Sequence, residues 1–197
     1  MLLRPIFCSI AVMGLCLATA CDGSKSDDTC TQTPAIATLF PADGEIGSWA
    51  IEAGSTFETG TTRDELVPII DGAADPFVDN GFLAWGRQHY SDTTNSIDYQ
   101  LYQMPSVAKN QETWDALVDP TKNYRQSMVT GGWTAIDGLG DAARVASGST
   151  SSWWFGVRKC AYQVDAHVTD KATGTKSEAT KTAGVTFLTA AVAKVPN

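Results

Sequence analysis

The chain contains few of the groups that usually carry catalysis or hold a metal ion. It has two histidines, His89 and His167, and no C-x-x-C, H-E-x-x-H or G-x-S-x-G motif. These absences argue against the common zinc sites and against the nucleophile elbow of serine hydrolases. Two scattered histidines on predicted strands are expected to be structural or exposed. The sequence therefore predicts no catalytic residue, no cofactor and no bound metal.

Basic residues are also scarce, since 14 Lys and Arg face 22 Asp and Glu. A net charge of −8 argues against nucleic acid as a partner, because phosphates require a basic surface. It equally gives no electrostatic attraction to an anionic membrane. The longest apolar run, residues 6–20, is shorter than the roughly 20 residues that a membrane-spanning helix needs.

The N-terminal residues have the layout of a secretory signal. Arg4 supplies a positive charge, an apolar stretch follows, and small residues end it at Ala20. The segment Leu17-Ala18-Thr19-Ala20-Cys21 resembles the bacterial lipobox, whose cysteine becomes the lipidated first residue of the mature protein. We therefore expect residues 1–20 to be a lipoprotein signal peptide and Cys21 to carry the lipid. The alternative is a soluble secreted protein that is cleaved near Ala20.

Two cysteines remain after Cys8 and Cys16 leave with the signal and Cys21 takes the lipid. In an oxidising compartment, Cys30 and Cys160 are expected to form a disulfide. The alternative is a buried free thiol at position 160 and an exposed one at position 30. Residues 21–35 are polar and predict a flexible tether, of which nine residues would separate the lipid from the bridge, a reach of roughly 17 Å.

Residues 36–197 predict a single α+β domain, an antiparallel sheet of about five to seven strands packed with helices. A capping-box spacing at residues 62–65 opens a helix that Pro68 and Pro76 break into two short ones. Ser106 is predicted to cap a further helix, whose inner face carries Val107, Gln111, Trp114 and Val118. Residues 178–195 are predicted to form a closing helix. Strands are predicted at residues 48–59, 82–90, 97–104, 142–146, 153–159 and 161–169, and residues 121–140 are predicted to be loop-rich.

The segment from Leu66 to Phe82 contains Ile70-Asp71-Gly72-Ala73-Ala74 and, further on, Asn80-Gly81-Phe82. It resembles the motif I-[DN]-G-[GA]-A … Y-G-F of an uncharacterised bacterial family of exported proteins. The resemblance covers about residues 38–118 and includes the following strand at residues 97–104. The order of elements is similar to that of the photosystem accessory protein PsbP and its relatives. Because the family has no assigned activity, the resemblance implies a fold and no catalytic residue.

The tryptophans are the most distinctive candidates for a binding surface. Trp153 and Trp154 are adjacent, so on a strand they face opposite sides, and Trp85 lies on another predicted strand. An exposed indole could contact a sugar or a protein partner, whereas the alternative is core packing. Asp71, Asp75 and Asp79 recur at intervals of four residues, which suits either a cation site or a solvated acidic face.

These observations favour a lipid-anchored bacterial envelope protein, at the periplasmic face or the cell surface. We expect a non-catalytic domain that binds an envelope protein or a glycan. The alternative is a carboxylate-dependent hydrolase acting on envelope glycans, because a pair of acids has no characteristic sequence spacing. A third possibility is a purely structural subunit of a complex.

Overall fold

A computed structural model describes residue 30 and residues 34–70, 73–119, 121–122, 124, 129–148 and 151–197. The predicted signal peptide, Cys21 and most of the predicted tether lie outside the described residues. A 3-10 helix at Ile36–Leu39 opens the domain. The described strands are β1 (Ala50–Ile51), β2 (Glu58–Gly60), β3 (Ala84–Ser91), β4 (Asn95–Gln103), β5 (Val129–Ile136), β6 (Ala142–Gly148), β7 (Trp153–Lys159) and β8 (Tyr162–Asp170). The described helices are α1 (Arg63–Ile70), α2 (Asp75–Asp79), α3 (Val107–Ala116) and α4 (Glu178–Ala193).

The strands form one open antiparallel sheet in the order β1-β3-β4-β8-β7-β6-β5, and β2 also pairs with β3. The predicted α+β fold class is confirmed, with eight strands in the described residues instead of five to seven. The predicted strand at 48–59 is two short strands, because Gly54 adopts a φ of 83° between them. The prediction of loop at 121–140 is wrong for β5. Gly131 and Gly132 interrupt its register with β6, and this bulge hides the strand pattern in the sequence.

One face of the sheet, which we call the inner face, packs against α4. Phe187 of α4 is fully buried, and its ring lies 5.1 Å from Trp49, 5.1 Å from Tyr90 and 5.7 Å from Tyr99. Gly184 brings the helix backbone against the sheet, since a Cβ there would lie 2.9 Å from Phe155. The main hydrophobic core therefore lies between α4 and the inner face.

The opposite face, which we call the polar face, carries α1, α2 and α3 at one end. Leu66 of α1, Phe77 of α2 and Leu117, which follows α3, bury Trp85 and Tyr102 of the sheet. The Phe77 and Tyr102 rings lie 4.1 Å apart. The predicted broken helix is confirmed as α1 and α2. The predicted capping box forms as well, with the Thr62 and Glu65 side chains each accepting the other's backbone N–H.

Helix α3 is capped by Ser106 as predicted, but the predicted inner face is wrong. Its buried side chains are Asn110 and Thr113, whereas Trp114 is only half-buried. Asn110 Nδ2 donates to the carbonyl oxygens of Cys160 and Tyr162, each at 2.8 Å. A search for apolar periodicity misses this face because polar side chains make its contacts with the sheet.

Cys30 and Cys160 form a disulfide, with their Cα atoms 5.6 Å apart. The bridge attaches the start of the described chain to the tight turn between β7 and β8. Asp141 holds the same turn, because its Oδ2 accepts the backbone N–H of Cys160 at 2.7 Å. Among the described residues, no helix has the length and apolar character that a membrane crossing requires.

Candidate functional site

The strand register gathers polar side chains on the polar face beyond the helices. On β4, Asp98 and Gln100 alternate with core residues, so both point away from α4. Asp98 pairs with His89 of β3 on one side and with His167 of β8 on the other. His167 in turn pairs with Trp154 of β7. Four adjacent strands therefore contribute one continuous row of a histidine, an aspartate, a histidine and a tryptophan.

Asp98 lies at the centre of a group that we call the Asp98 cluster: Asp98, Arg87, His89 and His167. Arg87 binds the carboxylate with two parallel hydrogen bonds, from Nε to Oδ1 and from Nη2 to Oδ2, both at 2.9 Å. His89 Nε2 lies 4.0 Å from Oδ1, and His167 Nδ1 lies 3.9 Å from Oδ2. Both imidazoles are beyond hydrogen-bond distance of Asp98, yet close enough to interact with it electrostatically when protonated.

Neighbouring polar groups fix the position of the cluster. Gln100 Nε2 donates to Asp98 Oδ2 at 3.1 Å, and the Tyr102 hydroxyl donates to the Gln100 amide oxygen. Glu58 of β2 approaches the other side of Arg87, with 3.5 Å between Oε2 and Nη1. The guanidinium is therefore shared between two carboxylates, and Asp98 receives the better geometry.

The surroundings of Asp98 favour its ionised form. Burial opposes ionisation, but the Arg87 hydrogen bonds and the charges of His167, Arg87 and His89 outweigh it, so the pKa of the Asp98 carboxyl is below its ordinary value. The hydrogen bonds with Asp98 raise the pKa of Arg87 in turn. A carboxylate and a guanidinium that both stay charged form a fixed dipole, which suits the binding of a polar ligand.

Trp154 borders the cluster. Its ring stacks on the His167 imidazole with 3.9 Å between centroids and an interplanar angle of 23°, and its indole N–H donates to Ser152 at 3.0 Å. The side chains of the row remain partly open to solvent, with 34% of His89, 29% of His167 and 15% of Asp98 exposed. The row is thus partly accessible, and hydrogen bonds hold its members Asp98 and Trp154 in place.

Farther along the polar face, charged groups are buried. Asp165 of β8 is 1% exposed, and Arg144 of β6 is 6% exposed. The Arg144 guanidinium lies 3.6 Å from the Trp114 ring centre and 5.0 Å from that of Trp133. Gly156 leaves the space into which Trp114 packs, because a Cβ there would lie 3.3 Å from the indole. The charged groups of Asp165 and Arg144 therefore lie beneath the surface and are not accessible to a ligand.

The structure separates the three tryptophans that the sequence suggests as a surface. Trp85 is 3% exposed in the cluster beneath α1–α3, so its inclusion in a surface is wrong. Trp153 lies on the inner face, where its indole N–H donates to the Ser177 carbonyl and Lys181 Nζ lies 4.9 Å from its ring. Trp154 alone borders the Asp98 cluster.

The remaining sequence features lie elsewhere. Asp75 and Asp79 belong to α2, where Asp75 faces Arg63 at 3.6 Å, and Asp71 is outside the described residues. The segment Gly138-Leu139-Gly140 borders a pocket of about 340 Å³ beside Lys159 and the end of α4. Lys159 Nζ donates to the carbonyls of Val192 and Val195, so it caps that helix.

Sequence reasoning missed Arg87 and Asp98 as site residues. Two signals were available in the sequence. Polar and apolar residues alternate along residues 97–102, which predicts a strand with one solvent-facing side, and Asp165 and His167 are two positions apart, which places them on the same face of a strand. Neither signal gives the pairing of β4 with both β3 and β8, on which the cluster depends. The predicted wet face is also partly wrong, because α1–α3 bury Tyr102.

The chemistry open to this site is recognition by hydrogen bonding and charge. Within the described ranges, no group of three or more His, Cys, Asp and Glu side chains is arranged to hold a metal ion. The Asp98 cluster includes no serine, threonine or cysteine that could act as a nucleophile. Its imidazoles and its guanidinium can donate hydrogen bonds to a bound partner.

No family model matches the chain, and no curated protein is significantly similar to it. Among solved structures, the chain is similar to the extracellular domain of PknH from Mycobacterium tuberculosis. The two share 11% sequence identity at a TM-score of 0.43, over 80% of this chain and 94% of the other. We draw no conclusion about fold or function from a likeness of this size. The resemblances to an uncharacterised exported family and to PsbP stay predictions.

Proposed function

We propose that this protein is a lipid-anchored domain of the bacterial envelope that binds a ligand or partner on its polar face. The observation that carries the proposal is the row from His89 through Asp98 and His167 to Trp154. It combines partly exposed hydrogen-bonding groups with an aromatic ring, and Arg87 holds its centre in place. Such a preorganised surface can bind without first ordering its own side chains.

Export is supported by the bridge between Cys30 and Cys160, since disulfides persist in oxidising compartments. Anchoring is supported by the lipobox-like sequence that ends at Cys21. Strand β8 begins beside the bridged turn, and His167 lies seven residues beyond Cys160, roughly 23 Å along the strand. An anchor attached through the bridge would therefore hold one end of the sheet near the lipid and leave the Asp98 cluster at the other end.

The geometry favours binding over glycan hydrolysis. A glycosidase needs one carboxylic acid that is protonated near neutral pH and a second carboxylate beside it. The surroundings of Asp98 lower its pKa, which disfavours a role as general acid. Asp165, the neighbouring carboxylate on β8, is 1% exposed and does not reach the surface. Glu58 is partly exposed, but Arg87 lies between it and Asp98 and pairs with both. The hydrolase alternative therefore has no protonated acid beside a free carboxylate at Asp98.

Site-specific photocrosslinking in the native envelope tests the binding role. A benzophenone amino acid is placed at Thr169, which lies on the polar face two residues beyond His167, and separately at Thr186 on the exposed side of α4. We expect a discrete crosslinked product from position 169 only, and its loss when Asp98→Asn is added. Equal products from both positions, or a product that Asp98→Asn leaves unchanged, would contradict the proposal.

The anchor has its own test, the intact mass of the protein extracted from its membrane before and after reduction. A mass that begins at Cys21 with added acyl chains and gains two hydrogens on reduction would support the lipid and the bridge together. An unlipidated mass would contradict the anchor and leave a secreted binding domain, in which the polar face would still be the proposed surface.

A further inference from the structure

The two histidines of the chain lie on opposite sides of a single carboxylate. His89 comes from β3 and His167 from β8, separated by β4, and one ring nitrogen of each lies within 4.0 Å of Asp98. They are 78 positions apart in the sequence, and only the sheet register places them together. Histidine is the side chain whose ordinary pKa, about 6.5, lies between pH 5 and 8.

The charged groups around these rings come from four strands. Glu58 comes from β2, Arg87 from β3, Asp98 from β4 and Asp165 from β8, whereas β7 contributes the uncharged Trp154. Asp98 lies within ion-pair distance of both imidazoles, 4.0 Å from His89 and 3.9 Å from His167. Protonation of either histidine therefore acts directly on Asp98 and on its bonds with Arg87.

We propose that the Asp98 cluster is a pH-responsive switch, in which protonated His89 and His167 compete with Arg87 for the Asp98 carboxylate. The proposal rests on the proposed function insofar as the same surface binds the partner. With both rings neutral, the surface made of the cluster and Glu58 holds one guanidinium and two carboxylates. With both rings protonated it holds three cations and two carboxylates, so its charge changes sign.

The geometry sets up this competition. Arg87 and Gln100 already occupy both oxygens of Asp98, at 2.9 Å and 3.1 Å. Each imidazole is about 1 Å too far away to bond, so a small movement would bring a protonated ring into hydrogen-bond range. Two ring donors added to the Arg87 and Gln100 donors would crowd a carboxylate that is also 15% exposed. Five donors exceed the roughly four acceptor positions of a carboxylate, so at least one bond from Arg87 or Gln100 must lengthen. Glu58 is positioned to take the guanidinium where Arg87 is the group released.

Two further observations support this arrangement. Asp98 has a lowered pKa, so its carboxylate stays ionised at mildly acidic pH and remains the group for which the others compete. His167 lies flat against Trp154, and a protonated imidazole is attracted to an indole face. Movement of His167 toward Asp98 would slide it along this stack, which couples the switch to the aromatic border of the surface.

The test needs no ligand and uses the NMR signal of the Arg87 Nε–H group, assigned through Arg87→Lys. We compare the folded domain at about pH 7.5 and pH 5.0, which bracket the ordinary histidine range. The variants are His89→Gln and His167→Gln, singly and together, because glutamine keeps a polar side chain that cannot take up a proton in this range. Thr186→Gln on the far side of the molecule is the matched control.

We expect the Arg87 signal to move between the two pH values in the wild type and in Thr186→Gln. The shift should shrink in each single histidine variant and be lost in the double variant. Crystals grown at the two pH values should show at least one imidazole nitrogen within about 3 Å of Asp98 at acidic pH. An Arg87 signal that does not move in the wild type, or that moves equally in the double variant, would overturn the switch.

Failure of the switch and failure of the binding role are distinguishable. If the Arg87 signal is insensitive to pH while the crosslink at position 169 persists, the surface binds but is not controlled by protons. If the signal responds while neither crosslinking position gives a product, the switch exists on a surface that does not bind as proposed.

Discussion

Replacement of Asn110 by alanine should strongly destabilise the domain, because this side chain connects α3 to the bridged turn. Asn110 is fully buried and donates to the Cys160 and Tyr162 carbonyls. Alanine would leave both carbonyl oxygens without that donor, and an unsatisfied buried acceptor costs about 1–3 kcal/mol. Asn110 Oδ1 is buried and has no hydrogen-bond partner among the described residues. Because its removal relieves that unfavourable burial, part of the lost free energy of unfolding is recovered. We expect a net decrease of about 3 kcal/mol in the free energy of unfolding.

Urea unfolding followed by circular dichroism measures this effect. With a denaturant slope of about 2 kcal/mol per molar, the midpoint should fall by about 1.5 M. Gln111→Ala is the matched control on the same helix, since its side chain bonds only to the exposed Asp115, and it should change stability by less than about 0.5 kcal/mol. A midpoint for Asn110→Ala within about 0.3 M of the wild type would refute the reasoning. It would mean that the two carbonyls find other donors or water.

Three further changes have defined outcomes. Because the folded protein lowers the pKa of Asp98, this residue stabilises the fold above the ordinary range of aspartate, near 3.9, and that stability is lost as pH falls through the folded pKa. Urea midpoints should therefore fall less steeply below about pH 5 in Asp98→Asn than in the wild type. Gly184→Ala would place a Cβ 2.9 Å from Phe155 and Val168, and should cost about 1–3 kcal/mol by the same assay, whereas exposed Thr186→Ala should not. Removal of the Cys30–Cys160 bridge by alanine at both positions opens a loop of 130 residues and should cost at most about 5 kcal/mol, and reductant should then destabilise only the wild type.

Each of these expectations has a result that contradicts it. Parallel pH profiles for Asp98→Asn and the wild type would mean that the Arg87 pair does not favour ionised Asp98 in the folded state. An unchanged midpoint for Gly184→Ala would mean that α4 can move away from the sheet without loss of packing. Equal sensitivity of the wild type and the alanine variant to reductant would mean that the reductant acts elsewhere.

Local sequence patterns predicted the elements whose signals lie within a few neighbouring residues. The capping box at Thr62 and Glu65, the prolines that break the first helix, and the cap at Ser106 are all short-range chemistry. Strand β7 was likewise predicted with its observed ends, Trp153 and Lys159. These features depend on backbone geometry and adjacent side chains, and both are readable in the sequence.

Patterns failed where contacts with another element decide the structure. The buried face of α3 is polar, because Asn110 bonds carbonyls about 50 positions away. Strand β5 escaped prediction because two glycines with positive φ interrupt its alternation, although β6 still provides its hydrogen-bond partners. The sequence does not show whether Trp85 is buried or exposed, because that depends on helices α1–α3 covering its face of the strand.

By itself, the sequence determined the fold class and the cysteine pair. The fold class follows from the periodicity of apolar residues, and the pair follows from the number of cysteines left after the predicted signal peptide. It also supplied the export signal as a prediction. The tertiary structure alone decided the candidate site. His89, Asp98 and His167 lie on three strands whose pairing depends on the whole sheet, and a shift of one residue on any strand would turn its member toward α4. Charge, hydrogen bonding and exposure at Asp98 follow from that register, which no local pattern encodes.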